Sequence, residues 1–204
     1  MKKCVIMYSG GVESTALVEW VLTQGVYEPI LIHSVFPHPK SAAKRLNKNV
    51  KTYAAERGLE LIVDKHPNWS KTYPFHDDRF DAQSHWYLSM LRARVYWKDI
   101  TEFYYGANAG IKTYGTGGDY PQVKVTEPQF TILWEYFGKM FDKDYGQWFY
   151  APLDGLTKRE QYNIIPPEYR KHCISCAKPP KYNGKSQCGE CPKCYRFIEL
   201  TAPE

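Results

Sequence analysis

The chain has 204 residues, a net charge of +5, 43% hydrophobic and 24% charged residues. These values are ordinary for a soluble globular protein and leave room for one α/β domain with its own core plus a small appendage. They exclude a membrane-spanning chain, because no apolar stretch approaches the length of a bilayer crossing. Met1-Lys2-Lys3 leads into a strand-like run rather than a signal segment, so the expected location is the cytoplasm. The 17 Tyr and 6 Trp are a surplus that suits an aromatic-rich core, a stacking surface or a homodimer interface.

Residues 2–8 read as a strand centred on Val5-Ile6-Met7-Tyr8, and residues 12–25 as a helix apolar on most sides, ending at Gly25. Pro29–Phe36 is a second strand. From Lys40 to Arg57 the basic residues Lys40, Lys44, Arg45, Lys48, Lys51 and Arg57 face Glu56 as the one acid. Ala43, Leu46, Val50, Tyr53 and Ala54 recur at helical spacing among them. This predicts an amphipathic helix with a basic outer face, either solvated or steering an anionic ligand. Residues 59–64 form a third strand. The β-α-β-α-β order implies parallel pairing, right-handed crossovers and a doubly wound sheet, with ligands at the carboxyl ends of its strands.

Residues 65–84 read as a loop able to cover the site. Ser84–Tyr104 is a long aromatic helix, Phe103–Ala107 a fourth strand, and residues 114–121 a glycine-rich loop. Thr126-Glu127-Pro128 starts another helix. Trp148–Leu153 is a last strand, and Thr157 to Glu160 is a capping box.

Between the first strand and the first helix stand Ser9-Gly10-Gly11-Val12-Glu13-Ser14. A strand feeding a Gly-Gly turn that opens a helix makes an anion site, though the plain alternative is an ordinary junction. Ser9 and Ser14 add hydroxyls, and Glu13 adds a carboxylate suited to Mg²⁺ among phosphate oxygens. Neither G-x-G-x-x-G nor a Walker loop is present. The stretch resembles the S-G-G-x-D-S loop of the PP-loop ATP pyrophosphatases, which cleave ATP to AMP and pyrophosphate, with Glu13 in place of Asp.

Cys4 lies at the start of the first strand and reads as a core thiol. The other five cysteines, Cys173, Cys176, Cys188, Cys191 and Cys194, crowd the tail. Cys188-Gly-Glu-Cys191-Pro-Lys-Cys194 has the spacing of thiols turned onto one tetrahedral centre. Cys176 or Cys173 supplies the fourth thiol, and the expected ion is structural Zn²⁺. The alternative is a sulfur-carrying or redox pair at Cys173 and Cys176.

The two ends together resemble the 7-cyano-7-deazaguanine synthase family. Gly106-Ala107 with Tyr120-Pro121 is similar to its G-A…Y-P stretch, and Ala151-Pro152-Leu153 with Leu156-Thr157-Lys158-x-Glu160 to its T-P-L…L-x-K-x-E stretch. Ser175-Cys176 matches its first zinc ligand, so the resemblance implies a set of Cys176, Cys188, Cys191 and Cys194. The family's R-N segment has no counterpart near Ser84 to Arg94. The resemblance implies a Rossmann-like, adenine nucleotide alpha hydrolase-like domain over residues 1–160 and a zinc-binding helical segment over 161–204. It implies an ATP-dependent ligase joining a carboxydeazapurine and ammonia through an adenylate. Ser9, Gly10, Gly11, Val12, Glu13 and Ser14 would bind the nucleotide, Glu13 would hold Mg²⁺, and Lys158 would stabilise phosphate charge. Arg92 or Arg94 is a candidate receiver of the substrate carboxylate. Neither membrane nor nucleic acid is an expected partner. The competing expectations are a tRNA sulfurtransferase, favoured by the basic helix, and a non-catalytic nucleotide-binding zinc module.

Overall fold

The computed structural model describes residues 1–35, 40–65, 89, 92, 93, 96, 97, 100, 102–106, 149–174 and 192–201. Strand β1 spans Lys2–Met7, helix α1 Val12–Thr23, β2 Tyr27–Val35, α2 Lys40–Glu56, β3 Glu60–Lys65, β4 Glu102–Tyr105 and β5 Phe149–Tyr150. Helix α3 follows at Lys158–Ile164, a 3-10 turn at Pro167–His172 and α4 at Pro192–Thr201. The expected helix at residue 126, the 65–84 loop beyond Lys65 and the glycine-rich 114–121 loop lie outside the described residues.

The five strands among the described residues run parallel in the order β3-β2-β1-β4-β5. β1 sits at the centre, with Val5 level with Ile30 on one side and Phe103 on the other. Such a strand must be apolar on both faces, which is why Cys4-Val5-Ile6-Met7 shows no alternation. Its even residues Cys4, Ile6 and Tyr8 join Leu31 and Tyr104 under α1 and α2. Its odd residues Val5 and Met7 join Ile30, Ile32 and Phe103 under Ala93 and Ile100. Helical cover on both faces is the doubly wound arrangement expected.

Three expectations shift. The aromatic helix does not reach Tyr104, because Glu102–Tyr105 is strand. A seat beside the central strand favours Phe and Tyr in extended backbone. Among the described residues the last strand covers Phe149–Tyr150, and turns follow to Gly155. Pro152 cannot donate to a ladder, and Leu153 instead packs into the core. One residue of the basic series, Arg57, does not face outward. Lys48 and Lys51 are exposed, but the Arg57 guanidinium turns inward to Glu19 of α1. Glu19, 2% exposed, also accepts from the Tyr53 hydroxyl at 2.7 Å, and Arg57 lies 4.4 Å over the Tyr169 ring. Arg57 thereby ties α1, the end of α2 and the 3-10 turn together. Beside it, Lys171 and His172 both contact Glu56.

The core continues past residue 160. Helix α3 crosses that position, and Ile165, Cys173 and Leu200 belong to the same cluster as β1 and α1.

Candidate functional site: the first turn of α1

Strand order reverses between β1 and β4, and the residues leaving these two strands meet there. In doubly wound sheets this switch point is the ligand crevice. The loop begins at Ser9, where β1 ends. Gly10 takes φ 77°, a left-handed conformation that favours glycine. Gly11 caps α1 and, having no side chain, makes no side-chain hydrogen bond to the first-turn amides. A helix that opens this way offers its N-terminal dipole to an anion.

The loop is braced by its own hydroxyls. The Gly11 amide donates to Ser9 Oγ at 3.3 Å, Ser9 and Ser14 Oγ lie 3.0 Å apart, and Ser14 Oγ donates to the Gly11 carbonyl at 3.2 Å. Ser9 N also donates to Ser14 Oγ at 3.2 Å. Ser9 and Ser14, expected to contact phosphate, thus bond to each other. These contacts are long for hydrogen bonds, so an anion with charged oxygens competes well for the exposed Ser9 hydroxyl and the Gly11 amide. Ser14 is buried and acts as the brace.

Two further elements hold the loop. The Ile174 amide, just after the 3-10 turn, donates to the Gly10 carbonyl at 2.8 Å. On the other side Gly106, the residue after β4, lies directly against the helix start. A Cβ there would stand 2.7 Å from Glu13 C and Ser14 N and 3.0 Å from Glu13 O. The sequence places Gly106 in a motif; only the packing shows that this position admits no side chain.

Lys158 is the first residue of α3. Thr157 caps that helix, accepting from the Glu160 amide at 3.3 Å while Glu160 accepts from the Thr157 amide at 2.7 Å. The expected capping box is present. It fixes α3 so that Lys158 Nζ meets Glu13 Oε1 at 2.9 Å. Two residues distant in sequence thus close over one loop, both partly exposed. One oxygen of Glu13 faces the ammonium. Its second oxygen, Oε2, lies 3.5 Å from the space where a Gly11 Cβ would stand, so it borders the loop. A carboxylate with one oxygen toward the cradle fits a Mg²⁺ ion there.

Cys173 is 2% exposed and sits under the loop. Burial pushes its thiol up to about 12, and Glu13 adds to that, while the Thr15 hydroxyl, Lys158 and Arg170 act in the opposite direction. It is a neutral thiol near neutral pH. Cys4 is pushed up to about 12 by burial and by Glu102, in keeping with a core thiol. Of the four expected zinc ligands only Cys194 is among the described residues. It is 1% exposed and lies in the first turn of α4. Cys176, Cys188 and Cys191 lie outside the described residues, as does Arg94. Arg92 is described and pairs with Asp64 at 2.9 Å.

No protein family matches the chain by its sequence, and no curated protein does. Solved structures do share its shape. The U34-tRNA thiolase NcsA from Methanococcus maripaludis, solved with its [4Fe-4S] cluster, superposes with a TM-score of 0.59 at 13% identity, over 98% of this chain and 65% of that one. The chain therefore spans about two thirds of the thiolase's length. A predicted subunit of a tRNA methyltransferase from Methanocaldococcus jannaschii gives a TM-score of 0.43 at 13% identity, over 100% of this chain and 93% of that one. The thiolase likeness establishes a shared α/β fold.

Proposed function

We propose that the protein is a PP-loop ATP pyrophosphatase that adenylates an oxygen of its acceptor. Its acceptor on this reading is 7-carboxy-7-deazaguanine, which it converts with ammonia to the nitrile. The observation that carries the reading is the closure of Lys158 and Glu13 over a glycine-opened helix start at the switch point. The fold shared with the tRNA thiolase is consistent with it, and the acceptor comes from the motif resemblance alone.

A carboxylate is a poor electrophile at neutral pH. Its oxygen attacks the α-phosphorus of ATP, and pyrophosphate leaves. The amides at the start of α1 and the Lys158 ammonium neutralise the charge that gathers on the departing phosphates. Ammonia then attacks the acyl carbon and expels AMP, leaving an amide. A second ATP adenylates the amide oxygen, and loss of AMP with the remaining N–H protons forms the nitrile. Mg²⁺ held by Glu13 would supply further charge neutralisation at the phosphates. Zn²⁺ held by Cys176, Cys188, Cys191 and Cys194 would fix the tail without an open position for chemistry.

Incubation with ATP, ammonium and 7-carboxy-7-deazaguanine should yield AMP, pyrophosphate and the nitrile. ADP in place of AMP would refute the reading. A second reading, ATP-dependent tRNA thiolation, is favoured by the position of Cys173 beside the loop. On that reading Cys173→Ser abolishes sulfur transfer; on the ligase reading it leaves nitrile formation nearly intact.

A further inference from the structure

Three hydroxyl and carboxyl groups on the other face of the sheet form a chain that the loop does not use. Ser34 Oγ donates to Ser89 Oγ at 2.6 Å, and Ser89 Oγ donates to Asp64 Oδ2 at 2.7 Å. Asp64 Oδ1 takes the Arg92 guanidinium at 2.9 Å. Ser89 is 1% and Ser34 6% exposed, whereas half of the Arg92 side chain is open to solvent.

The sheet register fixes where this chain lies. Ser34 is level with Asp64 on neighbouring strands. Met7 is level with Ile32, and the Tyr8 amide donates to the Ile32 carbonyl at 2.8 Å, so the loop leaves β1 beside this end of β2. Ser34 and Asp64 therefore lie near the carboxyl ends of β2 and β3, on the edge where the loop leaves β1. β3 is two strands from β1, about 10 Å at about 4.8 Å per strand. Ser34 and Asp64 share parity with Ile32 and Ile62, so they belong to the face covered by the segment that carries Ser89, Ala93 and Ile100.

An exposed ion pair contributes little stability and needs no buried support. Here two serine hydroxyls are desolvated beneath one carboxylate, each donating to the next group in line. The result is an Asp64 whose orientation is set from below and an Arg92 whose orientation is set by Asp64. Arg92 engages Asp64 through Nη1 alone among the described residues. A guanidinium has five donors in a planar fork matched to carboxylate or phosphate.

We propose that Arg92 is the receptor for the anionic group of the acceptor, a carboxylate on the ligase reading, and that Asp64, Ser89 and Ser34 are its positioning residues. This rests on the adenylation reading above, which requires an acidic acceptor on the same edge as the loop.

Calorimetric binding to the full chain tests it with three probes: 7-carboxy-7-deazaguanine, its uncharged nitrile counterpart, and the α,β-methylene analogue of ATP. Arg92→Ala should weaken the acid by roughly tenfold to a hundredfold and leave the nitrile and the nucleotide unchanged. Arg92→Lys should recover part of the loss, keeping the charge without the fork. Unchanged affinity for the acid in Arg92→Ala overturns the proposal. So does an equal loss for the nucleotide, which would assign the guanidinium to ATP. If the wild-type chain binds the nucleotide but not the acid, the ligase reading fails instead. Uridine monophosphate then replaces the acid as the anionic probe, with weaker binding to Arg92→Ala supporting the receptor and equal binding refuting it.

Discussion

Gly106→Ala isolates the contact between β4 and the anion loop. The added methyl would stand 2.7 Å from two backbone atoms of α1's first turn. Backbone cannot rotate aside as a side chain can, so α1 and β4 must separate by about 0.7 Å to restore ordinary contact. Overpacking of this kind costs about 1–3 kcal/mol, which for a domain of this size lowers Tm by about 2–12 °C. The larger effect falls on the site. Amides that must meet phosphate oxygens at hydrogen-bond range lose much of their contact on such a shift, and a displacement near 1 Å costs on the order of a hundredfold. Titration of wild type and variant with the α,β-methylene ATP analogue, alongside thermal melts, separates the two effects. A variant that melts lower yet binds the nucleotide as wild type does would refute the claim that this turn cradles phosphate.

Lys158→Met removes a partly exposed ion pair, so stability should change by about 1 kcal/mol or less while AMP formation falls by two orders of magnitude or more, read from urea melts and single-turnover assays. Arg57→Ala strands the buried Glu19 carboxylate and should cost about 3–5 kcal/mol in urea denaturation, and adding Glu19→Gln should return part of it. Cys4 and Cys173 titrate only near 12 in the folded chain against 9.0 in the unfolded one. The stability they contribute is complete below pH 9.0 and is lost as pH rises toward 12; melts between pH 8 and 11 should fall, and both thiols should resist a thiol reagent at pH 8 until the chain unfolds. Glu56 is held below 4.5, first by His172 and Lys171, and Glu160 by Thr157, so both weaken the fold as pH drops beneath that value in an acid titration.

The doubly wound sheet, the glycine-opened helix start and the capping box are legible in the order of residues. Each is a local matter: apolar runs of strand length, a Gly-Gly turn and a Thr-x-x-Glu spacing act within a few residues of one another. Tertiary structure alone decided what those pieces meet. Lys158 reaches Glu13 because α3 is pinned beside α1, Arg57 leaves the solvated face because the buried Glu19 carboxylate draws it in, and Gly106 is needed because β4 ends against a helix start. Contacts between residues far apart in the chain depend on register and crossing, and no periodicity in the sequence records those.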